Sequence, residues 1–278
     1  MNSSPLPPLV LSQWRSTRDA LHSYCRVFGR IKRSLVPWQK HWWHISLRVL
    51  PYGLSTSPVT FPGGENETFE MWMDLVGHRL AIRTSGGGER SMEMAGLPTS
   101  HFLEASLSML AEYGIHPEID RTLFQDSNPK DYDRPAVANF WNVLTRIDEI
   151  LKIFKSELPG ETSPVQFWPH NFDHALMWLP GRKIPGLDPG NEELSDVQMA
   201  FGFSTGDEGT PDAYLYVTAY PWPENLDQEP LPDGAVWHTE KWKGALLPYE
   251  VLAQSGNPEA RLLDFFRSVY RTASARQR

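Results

Sequence analysis

Lys40-His41-Trp42-Trp43-His44-Ile45-Ser46-Leu47-Arg48-Val49 is the stretch around which the rest of the chain can be ordered. Apolar and polar residues alternate along it. Successive side chains of a strand point to opposite faces, so the pattern predicts a strand. His41, Trp43, Ile45, Leu47 and Val49 then form a core-facing side, and Trp42, His44, Ser46 and Arg48 a polar one. The segment before it is helical by period. Leu21, Tyr24, Cys25, Phe28, Ile31 and Leu35 recur at three- and four-residue spacing between Thr17 and Leu35, and Pro37 stops the run.

Downstream, Leu54 to Phe61 reads as an extended segment ended by Gly63-Gly64. Thr68 to Val76 alternates, with Phe69, Met71, Met73 and Leu75 opposite Glu70, Trp72 and Asp74. Gly77-His78 turns the chain into Arg79 to Thr84, and Gly86-Gly87-Gly88 turns it again before Ser91 to Met94. These strands predict an antiparallel meander. A helix follows, with Pro98 near its start, Phe102, Leu103, Leu107 and Leu110 on its inner stripe and Gly114 as its cap.

The polar run from Asp120 to Arg134 is the best linker. Pro135 then opens the longest helix, striped by Val137, Phe140, Trp141, Leu144, Ile147, Leu151 and Phe154 and ended by Pro159-Gly160. Four more strands are expected at Val165 to Trp168, Phe172 to Leu179, Val197 to Phe203 and Ala213 to Tyr220. In the last of these Tyr214, Tyr216, Thr218 and Tyr220 share a face opposite Leu215, Val217 and Ala219. A proline-rich loop reaches Gly234, and Pro258 begins a final helix. The predicted fold is α+β: antiparallel β-meanders covered by helices. Residues 1–14 read as a loose arm, and residues 15–278 as one compact unit of two similar halves, 15–120 and 135–278, which suggests an internal pseudo-repeat.

The net charge of -8 argues against nucleic acid or an anionic membrane surface as the main partner. No stretch is long and apolar enough to cross a bilayer, and no basic leader opens the chain, so a soluble cytoplasmic protein is expected. Cys25 is the only cysteine, which excludes an intrachain disulfide and a cysteine-based zinc site. Asn2-Ser3-Ser4 and Asn66-Glu67-Thr68 fit the glycosylation pattern, which has meaning only in a secreted chain. The sequence contains 11 Trp, and rings of that size must be buried or stacked on something.

Pairs of histidines invite a metal reading, but strand geometry opposes it. His41 and His44, three apart, point to opposite faces, and His170 and His174, on one face, lie about 13 Å apart. No metal is expected. Nucleotide-loop, nucleophile-elbow and zinc-protease motifs are absent. Cys25 lies on an apolar helix stripe and reads as an inert buried thiol.

The polar sheet face carries more chemistry. His44, Glu70, Trp72, Asp74, Arg79 and Arg83 on one surface, with Trp42, would suit an anionic or aromatic small molecule held by arginine forks. The competing reading is a solvated face laced by cross-strand ion pairs.

Several stretches resemble a largely bacterial family catalogued as a domain of unknown function, number 5996. They are His41-Trp42-Trp43-His44, Gly53-Leu54-Ser55-Thr56-Ser57-Pro58, His78-Arg79-Leu80 with Ile82-Arg83-Thr84-Ser85, Phe140-Trp141, Ser163-Pro164-Val165, Phe172-Asp173 and Leu246-Leu247-Pro248-Tyr249-Glu250. The resemblance runs over residues 13 to 273 and implies an overall shape rather than an activity. It adds Asp173 to His44, Arg79 and Arg83 as positions where a common ligand could bind. Small or apolar residues stand in relatives where this chain has His170 and His174, which further weakens a shared metal site there.

The function expected is binding of a small organic molecule in a cleft lined by Trp42, Trp72, Arg79 and Arg83, with Asp173 as a further binding residue. In an enzymatic version His44 is the general acid or base, tuned by Glu70 or Asp74. The alternative is a non-catalytic protein–protein interaction module using exposed Trp and Tyr. The sequence names no cofactor and leaves the oligomeric state open.

Overall fold

The computed structural model describes residues 5–62, 67–207 and 209–277; the Gly63-Gly64 turn and the acceptors Asn2 and Asn66 lie outside the described residues. Ser12–Trp141 with Phe167–Phe172 make one compact unit, and Met1–Leu11, Asn142–Gln166 and Asp173–Arg278 make a second. Each has its own antiparallel sheet and helices, so the fold is α+β. The expected pseudo-repeat is not confirmed by this architecture.

The first unit opens with helix α1 (Leu11–Leu35), which buries Leu21, Tyr24, Cys25, Phe28 and Ile31 as its period requires. It starts before Thr17 because Trp14 continues the buried stripe, its ring stacked 5.1 Å from Phe140. The strand expected after α1 is not formed at its start. Lys40–Ile45 is a 3-10 turn, with His41 at φ 51° and Trp42 at φ 61°. A left-handed backbone cannot continue a strand, and it costs a residue with a side chain roughly 1–2 kcal/mol. The conformation is held from within: His41 lies against Trp43 at 6.1 Å and Trp42 stacks on His44 at 5.6 Å. The kink at His41 and Trp42 interrupts both the strand period and a regular 3-10 period, and both histidines are buried.

Strand pairing begins with β1 (Arg48–Leu50), followed by β2 (Gly53–Ser55), β3 (Val59–Thr60), β4 (Thr68–Asp74), β5 (Arg79–Thr84) and β6 (Glu89–Glu93). The order is β1-β2-β4-β5-β6, with β3 also on β4. The predicted alternation of β4 holds: Phe69, Met71 and Met73 are buried while Glu70, Trp72 and Asp74 stay half-exposed. Helix α2 (Thr99–Ala111) buries Phe102, Leu103 and Leu110, and Gly114 follows it at φ 73°. The polar run from Asp120 to Arg134 lies within the first unit. Asp120 caps a short 3-10 turn at Arg121–Phe124, and the Tyr132 hydroxyl meets His78 Nδ1 at 3.0 Å.

Helix α3 (Arg134–Glu157) contributes its residues from Asn142 onward to the second unit. Next in the chain come β7 (Glu161–Thr162), β8 (Gln166–Trp168), β9 (Asp173–Leu179), α4 (Glu192–Ser195), β10 (Gln198–Ser204), β11 (Tyr214–Tyr220), β12 (Val236–His238), β13 (Gly244–Pro248), α5 (Tyr249–Ala253) and α6 (Pro258–Arg276). The sheet order is β12-β13-β11-β10-β9-β7. One face is packed by helices: Phe154 of α3 meets Phe201 at 4.8 Å and Phe266 of α6 at 5.3 Å, and Trp178 meets Tyr270 at 5.0 Å. The opposite face carries the row Asp173, Ser204, Tyr214 and Pro248, and beside it the row Ala175, Gly202, Tyr216 and Leu246.

In the expected N-terminal arm, Leu6 and Leu9 are buried, and the Pro5 and Pro7 carbonyls accept hydrogen bonds from Arg146 and Tyr249. Among the described residues no helix is long and apolar enough to cross a membrane.

Candidate functional site

The structure divides the predicted site residues among three places. Glu70, Trp72 and Asp74 on β4 face Arg83, Ala81 and Arg79 on β5 in register, so the first sheet does gather them on one face. Their polar groups already serve that sheet. Arg83 donates to Glu89 through Nε and Nη2 at 3.1 and 2.6 Å, and its guanidinium lies 5.9 Å from the Trp72 ring. Arg79 donates twice to the Ser91 hydroxyl. Glu70 accepts from Ser55, and Asp74 accepts the N–H groups of Val76 and Gly77, closing the hairpin turn. These are the cross-strand pairs and turn caps of a solvated face.

His44 and Trp42 are in the 3-10 turn. His44 stacks on Trp42, receives the Gln39 N–H at Nδ1, and Arg33 lies over Trp42 at 5.1 Å. Burial lowers the His44 pKa, and the charges of Lys32 and Arg33 lower it further, outweighing the Gln39 contact that raises it. A histidine tuned by Glu70 or Asp74 would instead be surrounded by negative charge. Sequence reading missed Lys32, which sits four residues after Phe28 on the apolar stripe of α1 and is only 7% exposed. Its ammonium donates to the Ser46 carbonyl, and burial, with Arg48 adding, pulls the amine down to about 7.

His174 is fully buried with its Nε2 3.0 Å from Asp148 Oδ1. His170 precedes β9 rather than lying on it, which corrects the expected shared strand face. Among the described residues no group of three or more His, Cys, Asp and Glu is gathered as a metal would need.

Asp173 is the predicted site residue that belongs to the second unit. It opens β9 on the second sheet's less covered face, 7% exposed. Tyr216 reaches it from two strands away and donates its hydroxyl to Oδ2 at 2.5 Å. That reach is possible because the strand between them carries Gly202: a Cβ there would stand 2.4 Å from Tyr216 Cζ. Beside it, Trp242 lies 6.1 Å from Tyr214 and 6.4 Å from Tyr216, and a Cβ on Gly244 would meet both the Trp242 ring and the Val217 carbonyl at 2.5 Å. Glycine within a strand marks such close approaches, and Gly202 amid Met199, Phe201 and Phe203 was the signal available in the sequence.

Electrostatically the two acids of this face differ. Asp207 accepts the Tyr214 hydroxyl at 2.7 Å and the N–H groups of Gly209 and Thr210. Burial alone would raise its carboxyl, but those donors and Lys241 hold it below the ordinary range. Asp173 has Tyr216 and its own backbone N–H to lower it, and burial wins, pushing the carboxyl up to about 6. Its Oδ1 is buried and has no hydrogen-bond partner. Among the described residues no Lys, Arg or His pairs with it. Burial and the Asp173 charge drive the Tyr216 phenol well up, so Tyr216 is the donor of the pair.

The family model that matches this chain, over residues 6–278, is that of the family of unknown function DUF5996; the chain belongs to that family. No curated protein and no solved structure matches it.

Proposed function

We propose that the protein binds a small organic molecule on the less covered face of its second sheet, with Asp173 as the polar anchor and Tyr214, Tyr216 and Trp242 as the apolar walls. The observation that carries the reading is the unpartnered Oδ1 of a carboxylate buried beneath Tyr216. Buried polar atoms are nearly always satisfied, and leaving one unmade costs about 1–3 kcal/mol. The aromatic walls add to it. Tyr216 and Trp242 are half-buried, which leaves ring surface for a ligand to cover. Gly202 leaves the room through which the Tyr216 ring reaches Asp173.

This reading moves the ligand from the arginines of the first sheet, which are engaged with Glu89 and Ser91, to an acidic site. A carboxyl near 6 is also suited to exchange a proton with a bound molecule at neutral pH. The test is native mass spectrometry of protein purified from its native cells, for wild type and Asp173→Asn. A low-mass species retained by wild type and lost from the variant is expected. Empty and identical spectra for both would refute the binding reading and turn attention to the interaction module.

A further inference from the structure

Resting on that reading, we infer that the ligand is an organic ammonium compound, one that donates an N–H to Asp173 Oδ1 and lays its apolar body along Tyr216 and Trp242. The binding face itself distinguishes among ligand charges. An anion would meet the carboxylates of Asp173 and Asp207, and Lys241, which acts on Asp207, is already drawn to it. A neutral donor would satisfy Oδ1 but leave a buried carboxylate without a counter-charge, and buried charges in proteins are paired. An ammonium group satisfies both needs with one atom.

The surrounding rings favour the same charge. Tyr214, Tyr216 and Trp242 lie within 6.4 Å of one another, centroid to centroid, and aromatic faces attract cations through their quadrupoles. The phenol of Tyr216 is fixed as a donor to Oδ2, so it polarises the carboxylate without competing for Oδ1. Ring and acid are thus placed to take the two ends of one arylalkyl or alkyl amine, the charged end at β9 and the apolar end toward the loop between β12 and β13.

The inference is tested by isothermal titration of the full chain with three probes of matched shape: phenethylammonium, 2-phenylethanol and phenylacetate. Tryptammonium and benzylammonium bracket the size. An ammonium probe should bind wild type, and Asp173→Asn should weaken it about 30-fold, the worth of a hydrogen bond to a charged group. Trp242→Ala should weaken it without abolishing it, and serves as the second variant if Asp173→Asn does not fold. If the alcohol or the carboxylate binds as well as the amine and is still lost in Trp242→Ala, the cation inference is overturned while the binding site stands. If no ammonium probe binds wild type, the cation inference is likewise overturned, and the fate of the site then rests on the native mass spectra alone.

Discussion

Replacing Asp173 with Asn should make the protein more stable at neutral pH, and the gain should depend on pH in a fixed direction. The folded state holds the Asp173 proton more tightly than an ordinary aspartate does, at about 6 against 3.8. A raised carboxyl means that the native state binds more protons than the unfolded one between those values, so wild-type stability falls as pH rises through that window. The loss is absent below about pH 4 and complete above about pH 6, and amounts to about 3 kcal/mol. Asparagine keeps the shape and can still accept from Tyr216, but it has no charge to bury. Its unpaired amide has a cost of its own, which does not vary with pH. The quantity to follow is therefore the stability difference between variant and wild type, measured by urea denaturation from pH 4.5 to pH 8. It should grow in favour of Asn up to about pH 6.5 and then level off, a total change of about 3 kcal/mol read from the urea midpoints. A difference that stays flat across that range would show that Asp173 is not held as an unsatisfied buried carboxylate, and the proposed site would lose its foundation.

Lys32→Met should show the opposite sense. The buried amine is pulled from 10.5 to about 7, so its penalty is full below pH 7 and disappears above pH 10.5; the variant's advantage, at most about 5 kcal/mol, should shrink steadily between pH 7 and pH 10 in the same denaturation assay. A gap that ignores pH would refute the buried-amine account. Gly202→Ala should force the Tyr216 ring off Asp173, since the new Cβ would stand 2.4 Å from Cζ. About 1–3 kcal/mol of stability should be lost, together with whatever small molecule the wild type retains in its native mass spectrum; an alanine variant with unchanged stability and retention would mean that the ring's seat over glycine is incidental.

Much of the fold was legible because its long elements obey a single period. The stripe of α3 and the alternation of β4, β5 and β11 each assign a face to every residue, and burial agrees with those assignments at Phe69, Met71, Met73, Leu215 and Val217. The elements that escaped were too short to show a period. β12 has three residues, and β13 runs from a glycine to a proline, both read in a sequence as punctuation. The Lys40–Ile45 turn escaped for a different reason. Its apolar alternation is real, but the backbone at His41 and Trp42 is left-handed, a choice stabilised by ring-on-ring contacts that period-two counting cannot see. The site was legible only as a set of names. Asp173 stood among the candidates, and Gly202 was visible as a glycine inside a strand, yet their meeting with Tyr216 depends on the register of three strands, which local sequence does not encode.

Asp173 and Lys32 face the same physical difficulty with opposite charges, and comparing them shows why only one suggests a ligand. Each is buried, and each has its proton affinity displaced toward the neutral form by that burial. Lys32 has a structural use that accounts for it: its ammonium ties the last turn of α1 to the carbonyl of Ser46, just past the left-handed turn. A ring stack and an ammonium both act on that strained loop. Asp173 Oδ2 takes a hydrogen bond that the Tyr216 phenol could have made to a neutral group, and Oδ1 takes none. Serine or asparagine at that position would satisfy Tyr216 at a smaller desolvation cost. That contrast is why the proposed site is built on Asp173 and not on Lys32.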